Sequence, residues 1–205
     1  MKPAASKPDV VLVDAGGSNI GSLRYALLRL GVEAQLSADA QRIGAASHVI
    51  LPGVGAAAPG MQRLREAGLA QTIAGLTQPV LGVCLGMQLL FERSEESDTR
   101  CLGLIPGAVR HFPQENNLRI PHMGWNTLRL ERDSELFAAI EPGCHVYFVH
   151  SYAAPISSHT LASTDYGAPF SAVVCNRNFY GMQFHPERSG PAGAQMLKNF
   201  LALRA

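Results

Sequence analysis

The sequence predicts an α/β fold built on an open, doubly wound mixed sheet, with a parallel core, added antiparallel strands and flanking helices. In the first half, short apolar runs alternate with segments of helical spacing, which is typical of parallel strands joined by crossover helices. In the second half, short extended segments follow one another with turns between them. We therefore expect the first half of the chain to form a parallel sheet and the second half to extend it with antiparallel strands.

The first half supplies the parallel core. Val10–Val13 is a β-branched run that predicts a buried strand, followed by turn residues at positions 16, 17 and 19. Leu23, Ala26, Leu27 and Leu30 then recur at helical spacing, and we expect Ser22 to cap this helix and Gly31 to end it. The remaining predictions are strands at 32–36, 48–51 and 80–83 and a helix at 61–76.

The second half supplies the later strands. "CNRNFYG", residues 175–181, is typical of a hairpin connection. Helical patterns are confined to residues 134–140 and 193–205. The predicted extended segments are residues 102–112, 118–130, 145–152, 161–164, 172–175 and 180–184.

Composition favours one compact domain at residues 10–205 behind a flexible tail at 1–9. Seventeen Lys and Arg nearly balance sixteen Asp and Glu, so charge indicates neither a nucleic-acid nor a membrane partner. No apolar run approaches the roughly 20 residues of a membrane span, and the N-terminus does not have the pattern of a signal peptide. We expect a cytoplasmic protein.

The four cysteines are widely separated and form no CxxC pair. We expect reduced thiols and no metal site, although Cys144 beside His145 could be half of one.

Gly82, Cys84 and Gly86 have the spacing of a nucleophile elbow between a predicted strand and a helix that starts at Leu85. The turn is so tight that side chains at the glycine positions would collide with neighbouring backbone. A helix N-terminus also favours a thiolate and a developing oxyanion. Taken alone, this pattern fits a buried core cysteine equally well.

His185 differs from the other six histidines because a carboxylate follows at Glu187. Pro186 disfavours helical backbone at His185, and alternate side chains of an extended chain share a face. Glu187 can then orient the imidazole as the third member of a catalytic triad. A solvent-exposed His and Glu at a strand end is the alternative if this stretch is taken alone.

An oxyanion site requires backbone N–H groups near the nucleophile. Leu85 offers one, and "LPGVG", residues 51–55, ends a neighbouring predicted strand. Gly53 and Gly55 would allow the backbone to approach a substrate closely. The alternative is an ordinary turn after a strand.

"PGVG", "GVCLGMQLL" and "QFHPERS", in this order and spacing, resemble the class I, or triad, glutamine amidotransferases. "VDAGGSNIGSL", "RSEES", "LGLIPG", "PHMGWN", "YFVHSYA" and "NFYGMQFHPERSG" are similar to the glutaminase subunits of imidazole glycerol phosphate synthases. The resemblance extends from about residue 10 to the C-terminus. Two stretches, "AAAPG" and "GGSN", depart from the family pattern. The departures bear on the packing around the expected oxyanion loop, residues 51–55, and on the helix that would face a partner protein.

The resemblance implies roles for individual residues. Cys84 would attack the side-chain amide of L-glutamine, and His185, oriented by Glu187, would transfer protons. Backbone at Gly53 or Val54 and at Leu85 would hold the oxyanion. The glutamine backbone end would be bound by Gln88, Glu96, Ser151 and Tyr152.

The resemblance also implies a (βα)8-barrel cyclase as partner and no metal or organic cofactor. The partner would take up ammonia through a channel for histidine biosynthesis. We expect Pro121, His122, Met123, Gly124, Trp125 and Asn126 to form part of the docking surface. A tryptophan buried in the core is the alternative for Trp125.

Three other functions remain open. One is a glutaminase subunit serving purine, pyridoxal phosphate or anthranilate synthesis. Another is a stand-alone cysteine amidase, which should work without a partner. The third is a regulatory subunit without catalysis, which the presence of Cys84, His185 and Glu187 disfavours.

Overall fold

The structure is a computed structural model that describes residues 7–14, 20–113 and 118–204. Its core is an eight-stranded mixed sheet. The strands are β1 Val10–Val13, β2 Gln35–Ser37, β3 His48–Gly53, β4 Val80–Cys84, β5 Phe91–Ser94, β6 Thr99–Arg100, β7 Ile105–His111, β8 His122–Thr127, β9 Arg129–Leu130, β10 His145–His150, β11 Tyr152–Ala153, β12 Thr160–Asp165, β13 Pro169–Asn176 and β14 Phe179–Met182. The helices are α1 Ile20–Arg29, α2 Ala40–Ala45, α3 Ala57–Glu66, α4 Leu69–Ala74, α5 Leu85–Leu90 and α6 Gly190–Ala202.

The main sheet has the strand order β2-β1-β3-β4-β14-β13-β12-β9. Neighbours from β2 to β14 are parallel, and β13, β12 and β9 are added antiparallel. The predicted fold class, a parallel core with late antiparallel strands, is confirmed. The predicted hairpin is the β13–β14 connection, with Arg177 in the left-handed region at φ 55°.

Two hydrophobic layers cover the two faces of the sheet. Val10 and Leu12 of β1 pack into the layer that contains the buried residues of α1 and α6, whereas Val11 and Val13 pack into the layer beneath α2 to α5. Because successive side chains of a strand point to opposite faces, a strand covered on both sides is apolar throughout. This explains the uninterrupted apolar run "VVLV".

Several helix predictions need correction. The helix expected at 61–76 is two helices, because Gly68 between them adopts a left-handed conformation at φ 69°. Ser22 lies inside α1 and does not cap it. Residues 134–140 form only the 3-10 turn Glu135–Phe137.

The strands of the second half do not all join the main sheet. β8 and β10 form a separate antiparallel pair, the β8–β10 ribbon, and β11, β7, β5 and β6 form a four-stranded sheet. The predicted turn after β1, the "GGSN" departure and residues 1–6 of the predicted tail lie outside the described residues. Within the described ranges, no helix is both long and apolar enough to cross a membrane.

Candidate active site

Cys84 lies at the junction of β4 and α5 in an unusual backbone conformation. Its φ is 53° and its ψ is −112°, a region that non-glycine residues rarely adopt. Such strain persists only where the surrounding structure enforces it, and it is concentrated at functional sites. The sharp strand-to-helix turn is the backbone arrangement of a nucleophile elbow.

The glycines around Cys84 leave no space for side chains. A Cβ atom added at Gly82 would lie 2.6 Å from the carbonyl oxygen of Gly86, and one added at Gly86 would lie 1.9 Å from the carbonyl oxygen of Leu51. A Cβ at Gly53 would lie 2.5 Å from the backbone nitrogen of Gly86. The predicted steric need for glycine at both elbow positions is confirmed, and Gly53 shares it.

His185 and Glu187 form a buried hydrogen-bonded pair. The Nδ1 atom of His185 lies 2.9 Å from Oε1 of Glu187. His185 is extended, at φ −94° and ψ 99°, as predicted from Pro186. Glu187, however, lies in the 3-10 turn Pro186–Arg188, so the two side chains meet across a turn and not on one face of a strand.

The His185 imidazole interacts with Cys84 as well as with Glu187. Burial alone would lower the pKa of His185, but the hydrogen bonds and charges of Cys84 and Glu187 together raise it to about 10. The imidazolium is therefore the favoured form at neutral pH. A proton is available beside the sulfur for a departing group.

A cavity of about 620 Å³ opens above the elbow. Its lining includes most of the residues predicted for catalysis, oxyanion binding and substrate binding. They are Val54, Cys84, Leu85, Gln88, Glu96, Ser151, Tyr152 and His185. Gly53 and Glu187 instead line an adjoining cavity of about 40 Å³, which shares Val54, Leu85 and His185 with the larger one.

The predicted oxyanion loop lies directly beside Cys84. Gly53 pairs with Cys84 in the parallel β3–β4 ladder, and Gly55 has a positive φ of 92°. Glu96 holds the end of this loop, because its Oε2 accepts a hydrogen bond of 2.6 Å from the backbone N–H of Ala57 at the start of α3. The loop and one predicted substrate-binding residue are thus linked.

Gln183 also lies beside Cys84, although no sequence pattern predicted it. Its fully buried side chain accepts a hydrogen bond of 3.0 Å from Nε2 of Gln88, and its own Nε2 lies 3.9 Å from Sγ of Cys84. Gln88 Nε2 also donates to the Tyr152 carbonyl at 2.9 Å. Gln183 precedes His185 by two residues, so the alternation of an extended chain could have placed it on the same face.

The stretch "PHMGWN" forms Pro121 and most of β8, and its side chains divide between two faces. Met123 is 61% exposed and Trp125 is 56% exposed, which excludes a buried core tryptophan. His122, in contrast, is only 3% exposed and does not lie on this surface. Gly124 and Asn126 are half-buried, and Pro121 lines the large cavity.

His122 packs inside an aromatic cluster with His150. Its ring stacks on Tyr166 and Phe148, with ring centroids 3.9 Å and 4.8 Å away. Burial lowers the pKa of His122 to about 4, and burial is also the main cause that lowers the pKa of His150 to about 3. Both rings are therefore neutral at neutral pH.

The four cysteines are free thiols, of which Cys84 and Cys101 are buried. Across residues 7–14, 20–113 and 118–204, no three His, Cys, Asp or Glu side chains are grouped so as to hold a metal ion.

Sequence comparisons agree with this geometry. The sequence model described as glutamine amidotransferase class-I matches residues 11–203. The imidazole glycerol phosphate synthase subunit HisH of Xanthomonas axonopodis pv. citri (strain 306) is 55% identical over 195 residues, which cover 95% of this chain and 98% of the relative. The subunit of the same name from Xylella fastidiosa (strain Temecula1 / ATCC 700964) is 51% identical, with 96% and 98% covered.

Solved structures share the fold. A crystal structure of a glutamine amidotransferase has a TM-score of 0.72 at 19% identity, covering 94% of this chain and 97% of that chain. A second, from Thermotoga maritima, has a TM-score of 0.64 at 17% identity, covering 96% and 81%. The family match over almost the whole sequence, together with the HisH relatives, shows that the chain belongs to the class-I glutamine amidotransferase family.

Proposed function

We propose that this chain is the glutaminase subunit of imidazole glycerol phosphate synthase. It hydrolyses L-glutamine to glutamate and ammonia and passes the ammonia to a cyclase subunit in histidine biosynthesis. The observation that carries the proposal is the 55% identity to a HisH subunit over nearly the full length of both chains. The Cys84–His185–Glu187 arrangement supports the same chemistry.

Cys84 is the proposed nucleophile. Its thiolate attacks the side-chain carbonyl carbon of glutamine, and the resulting oxyanion is held by backbone N–H groups at Leu85 and at Gly53 or Val54. The C–N bond then breaks, and the leaving nitrogen takes a proton from His185 to depart as ammonia. The product of this half-reaction is a thioester on Cys84.

Water completes the cycle. His185, now neutral, accepts a proton from a water molecule that attacks the thioester carbonyl. The C–S bond breaks, which releases glutamate and regenerates the thiolate beside an imidazolium. Glu187 keeps the imidazole in position and stabilises its charge, with a contact of 2.9 Å between Nδ1 and Oε1.

Four residues of the large cavity are proposed to bind the amino-acid end of glutamine. Glu96 provides a negative charge for the α-ammonium group, while Gln88 and the backbone of Ser151 and Tyr152 provide polar contacts. All four line the cavity with Cys84. A cavity of about 620 Å³ has ample room for an amino acid of this size.

The proposed partner is a (βα)8-barrel cyclase that docks on the exposed face of the β8–β10 ribbon. Met123 and Trp125 give this face an apolar character, and Trp125 contacts Tyr147, with ring centroids 5.9 Å apart. The Arg188 guanidinium lies over Tyr147 at 5.6 Å and also lines the large cavity. The surface and the cavity therefore adjoin, which suits direct transfer of ammonia.

We propose that the protein works in the cytoplasm, because the HisH subunits it resembles belong to a biosynthetic synthase.

The first experiment measures glutamate production from glutamine by the purified chain, alone and with the barrel cyclase and its nucleotide ligand. We expect strong stimulation by the complex. Full activity of the chain alone would instead identify a stand-alone cysteine amidase, and stimulation by the synthase of another pathway would identify a different glutaminase.

A Cys84→Ala variant tests the division of labour between the subunits. Glutamine-dependent synthesis should be abolished, whereas synthesis from added ammonia should survive because the cyclase needs only ammonia. Loss of both activities would contradict the proposed roles.

A further inference from the structure

We propose that Gln183 is a positioning residue of this active site: it directs an amide N–H toward the Cys84 sulfur and fixes the orientation of the Gln88 amide that faces the cavity. The inference rests on the proposed function and deepens it. It concerns a side chain that takes no part in the steps described above.

The orientation of both amides follows from one backbone carbonyl. The Tyr152 carbonyl oxygen can only accept hydrogen bonds, so the Gln88 atom 2.9 Å from it must be the donor Nε2. The second N–H of that nitrogen donates to Gln183 at 3.0 Å, which makes the Gln183 atom the acceptor Oε1. The Gln183 nitrogen is therefore the atom that faces Cys84, 3.9 Å from Sγ.

This arrangement determines what Gln88 can offer a bound molecule. Both N–H groups of Gln88 are used within the protein, so only its Oε1 atom is left for the cavity. A carbonyl oxygen accepts hydrogen bonds, which suits an ammonium group and not a carboxylate. Gln88 therefore recognises the α-ammonium of an amino acid, in the same cavity as the Glu96 carboxylate.

Gln183 also places a donor next to the reacting sulfur. The sulfur also interacts with His185 and lies 4.0 Å from the Val149 carbonyl oxygen. The main chain of Gln183 is held by a hydrogen bond of 2.9 Å from its N–H to the Ala172 carbonyl, and its side chain is fully buried. A fixed dipole in such a water-excluded position favours the anionic form of sulfur over the neutral form.

Gln183→Met tests the proposal, because methionine has a similar length but neither donates nor accepts amide hydrogen bonds. The first readout is the pH dependence of Cys84 alkylation by iodoacetamide in the chain alone, with a Cys84→Ser variant to subtract reaction at the other three thiols. We expect the alkylation midpoint to move to higher pH, with a rate about tenfold lower below the midpoint.

The second readout is glutaminase kinetics in the complex with the cyclase. We expect the KM for glutamine to rise about tenfold, since loss of the Gln183 acceptor frees the Gln88 amide to rotate and present its N–H groups to the ammonium. Gln183→Glu keeps the acceptor oxygen but loses the donor, so it should shift the alkylation profile with a smaller effect on KM. This variant also keeps the test informative if Gln183→Met does not fold.

Asn199→Leu is the matched control for loss of a buried amide. Asn199 Nδ2 donates to the Leu136 and Ala138 carbonyls, each at 2.8 Å, in a region built by α6. This variant should lose stability while keeping the wild-type alkylation profile and KM. If Gln183→Met behaves in the same way, Gln183 is an ordinary core amide and the inference is overturned.

The two proposals fail differently. A wild-type complex that produces no glutamate from glutamine would overturn the proposed function, while the alkylation profile would still decide whether Gln183 acts on the sulfur. A wild-type complex that is active, with Gln183→Met matching it in both readouts, would overturn only the role of Gln183.

Discussion

Cys84 is held in a strained conformation by backbone on three sides. β3 approaches at Gly53, the first turn of α5 follows at Leu85, and Gly82 and Gly86 face each other across the elbow. The close approaches are between main-chain atoms, which cannot rotate away as the end of a side chain can. The position of the sulfur therefore depends on residues that have no functional group.

Gly86→Ala should disturb this arrangement severely. The added Cβ would lie 1.9 Å from the Leu51 carbonyl oxygen, so β3 and α5 must separate. We expect a loss of about 3 kcal/mol or more in the free energy of unfolding. The glutaminase rate of the complex should fall about a hundredfold, because the reacting atoms are displaced. Urea unfolding followed by circular dichroism and a glutamate assay measure the two effects.

Gly44→Ala is the control for the same chemical change. Gly44 lies in α2 and is exposed, and outside its own helix no atom of the described residues lies within 4 Å of an added Cβ. Alanine is favoured over glycine within a helix by roughly 0.5–1 kcal/mol, so stability should be unchanged or slightly higher. Equal behaviour of the two variants would show that the elbow accepts a side chain.

Glycine spacing and Pro186 constrain the backbone locally, so the sequence alone could predict that Cys84 lies at a strand-to-helix elbow and that His185 contacts Glu187. It did not reveal how His185 and Glu187 meet, since a 3-10 turn and an extended segment both allow contact between residues two apart. Gln183 was missed because its partners Gln88 and Cys84 are remote in the chain. Contacts of that kind depend on strand order.

At the scale of elements, the β8–β10 ribbon separates two environments. Met123, Trp125 and Tyr147 lie on its outer side, whereas His122, Phe148 and His150 belong to the buried aromatic cluster. His150 Nδ1 lies 2.8 Å from the Tyr152 carbonyl and Nε2 lies 3.3 Å from Nδ1 of His122. Two neutral imidazoles thus support the strand that borders the cavity.

The buried imidazoles make stability depend on pH. Because the pKa of His122 is lowered to about 4 and that of His150 to about 3, the folded state prefers the neutral rings. Their contribution to the free energy of unfolding is complete at pH values above the unfolded pKa of about 6.5, and it is lost as the pH falls toward the lowered pKa values of the folded state. His48, whose pKa is also lowered mainly by burial, acts with the same sign. His185 acts with the opposite sign, because its pKa is raised to about 10 and its contribution to stability is fully present only below the unfolded pKa of about 6.5.

His122→Phe should therefore reduce the acid sensitivity. Phenylalanine retains stacking between Tyr166 and Phe148 but cannot take up a proton. Between about pH 7 and about pH 4.5, we expect the variant to lose roughly 2 kcal/mol less unfolding free energy than the wild type. Urea titrations at the two pH values measure this difference, with exposed His145→Phe as the control. An unchanged pH dependence in His122→Phe would contradict the buried neutral state of His122.

The sequence predicted most elements of the main sheet, because central parallel strands are short, apolar and bounded by turns. It did not predict the division of the later strands among three sheets. In "PHMGWN" both faces of the strand carry large or aromatic side chains, so the alternation of side chains alone could not identify the face that is exposed. The helix at 61–76 was not recognised as two, because a single Gly68 has no visible effect on apolar spacing.

At the scale of the whole molecule, the topology brings distant segments to one edge of the sheet. β3 and β4 are adjacent parallel strands, β14 pairs with β4, and their carboxyl ends lead to Gly53, Cys84 and Gln183. Ligands bind at this edge in open α/β sheets. The β8–β10 ribbon lies outside the main sheet but reaches the same place. The backbone N–H of His185 donates to the backbone carbonyl of Tyr147 in β10 at 2.9 Å.

That connection brings the proposed docking surface close to Cys84, and Trp125→Ala tests whether a partner docks there. Loss of a large aromatic anchor should weaken cyclase binding by about 2 kcal/mol, or roughly thirtyfold in Kd, as measured by titration calorimetry. Alkylation of Cys84 in the isolated chain should not change, because Trp125 does not line the cavity. Ile156→Ala, at an exposed hydrophobic residue outside the ribbon, should bind like the wild type. If Trp125→Ala binds the cyclase with undiminished affinity while Ile156→Ala does not, the partner docks on another face and ammonia must leave the cavity by a different route.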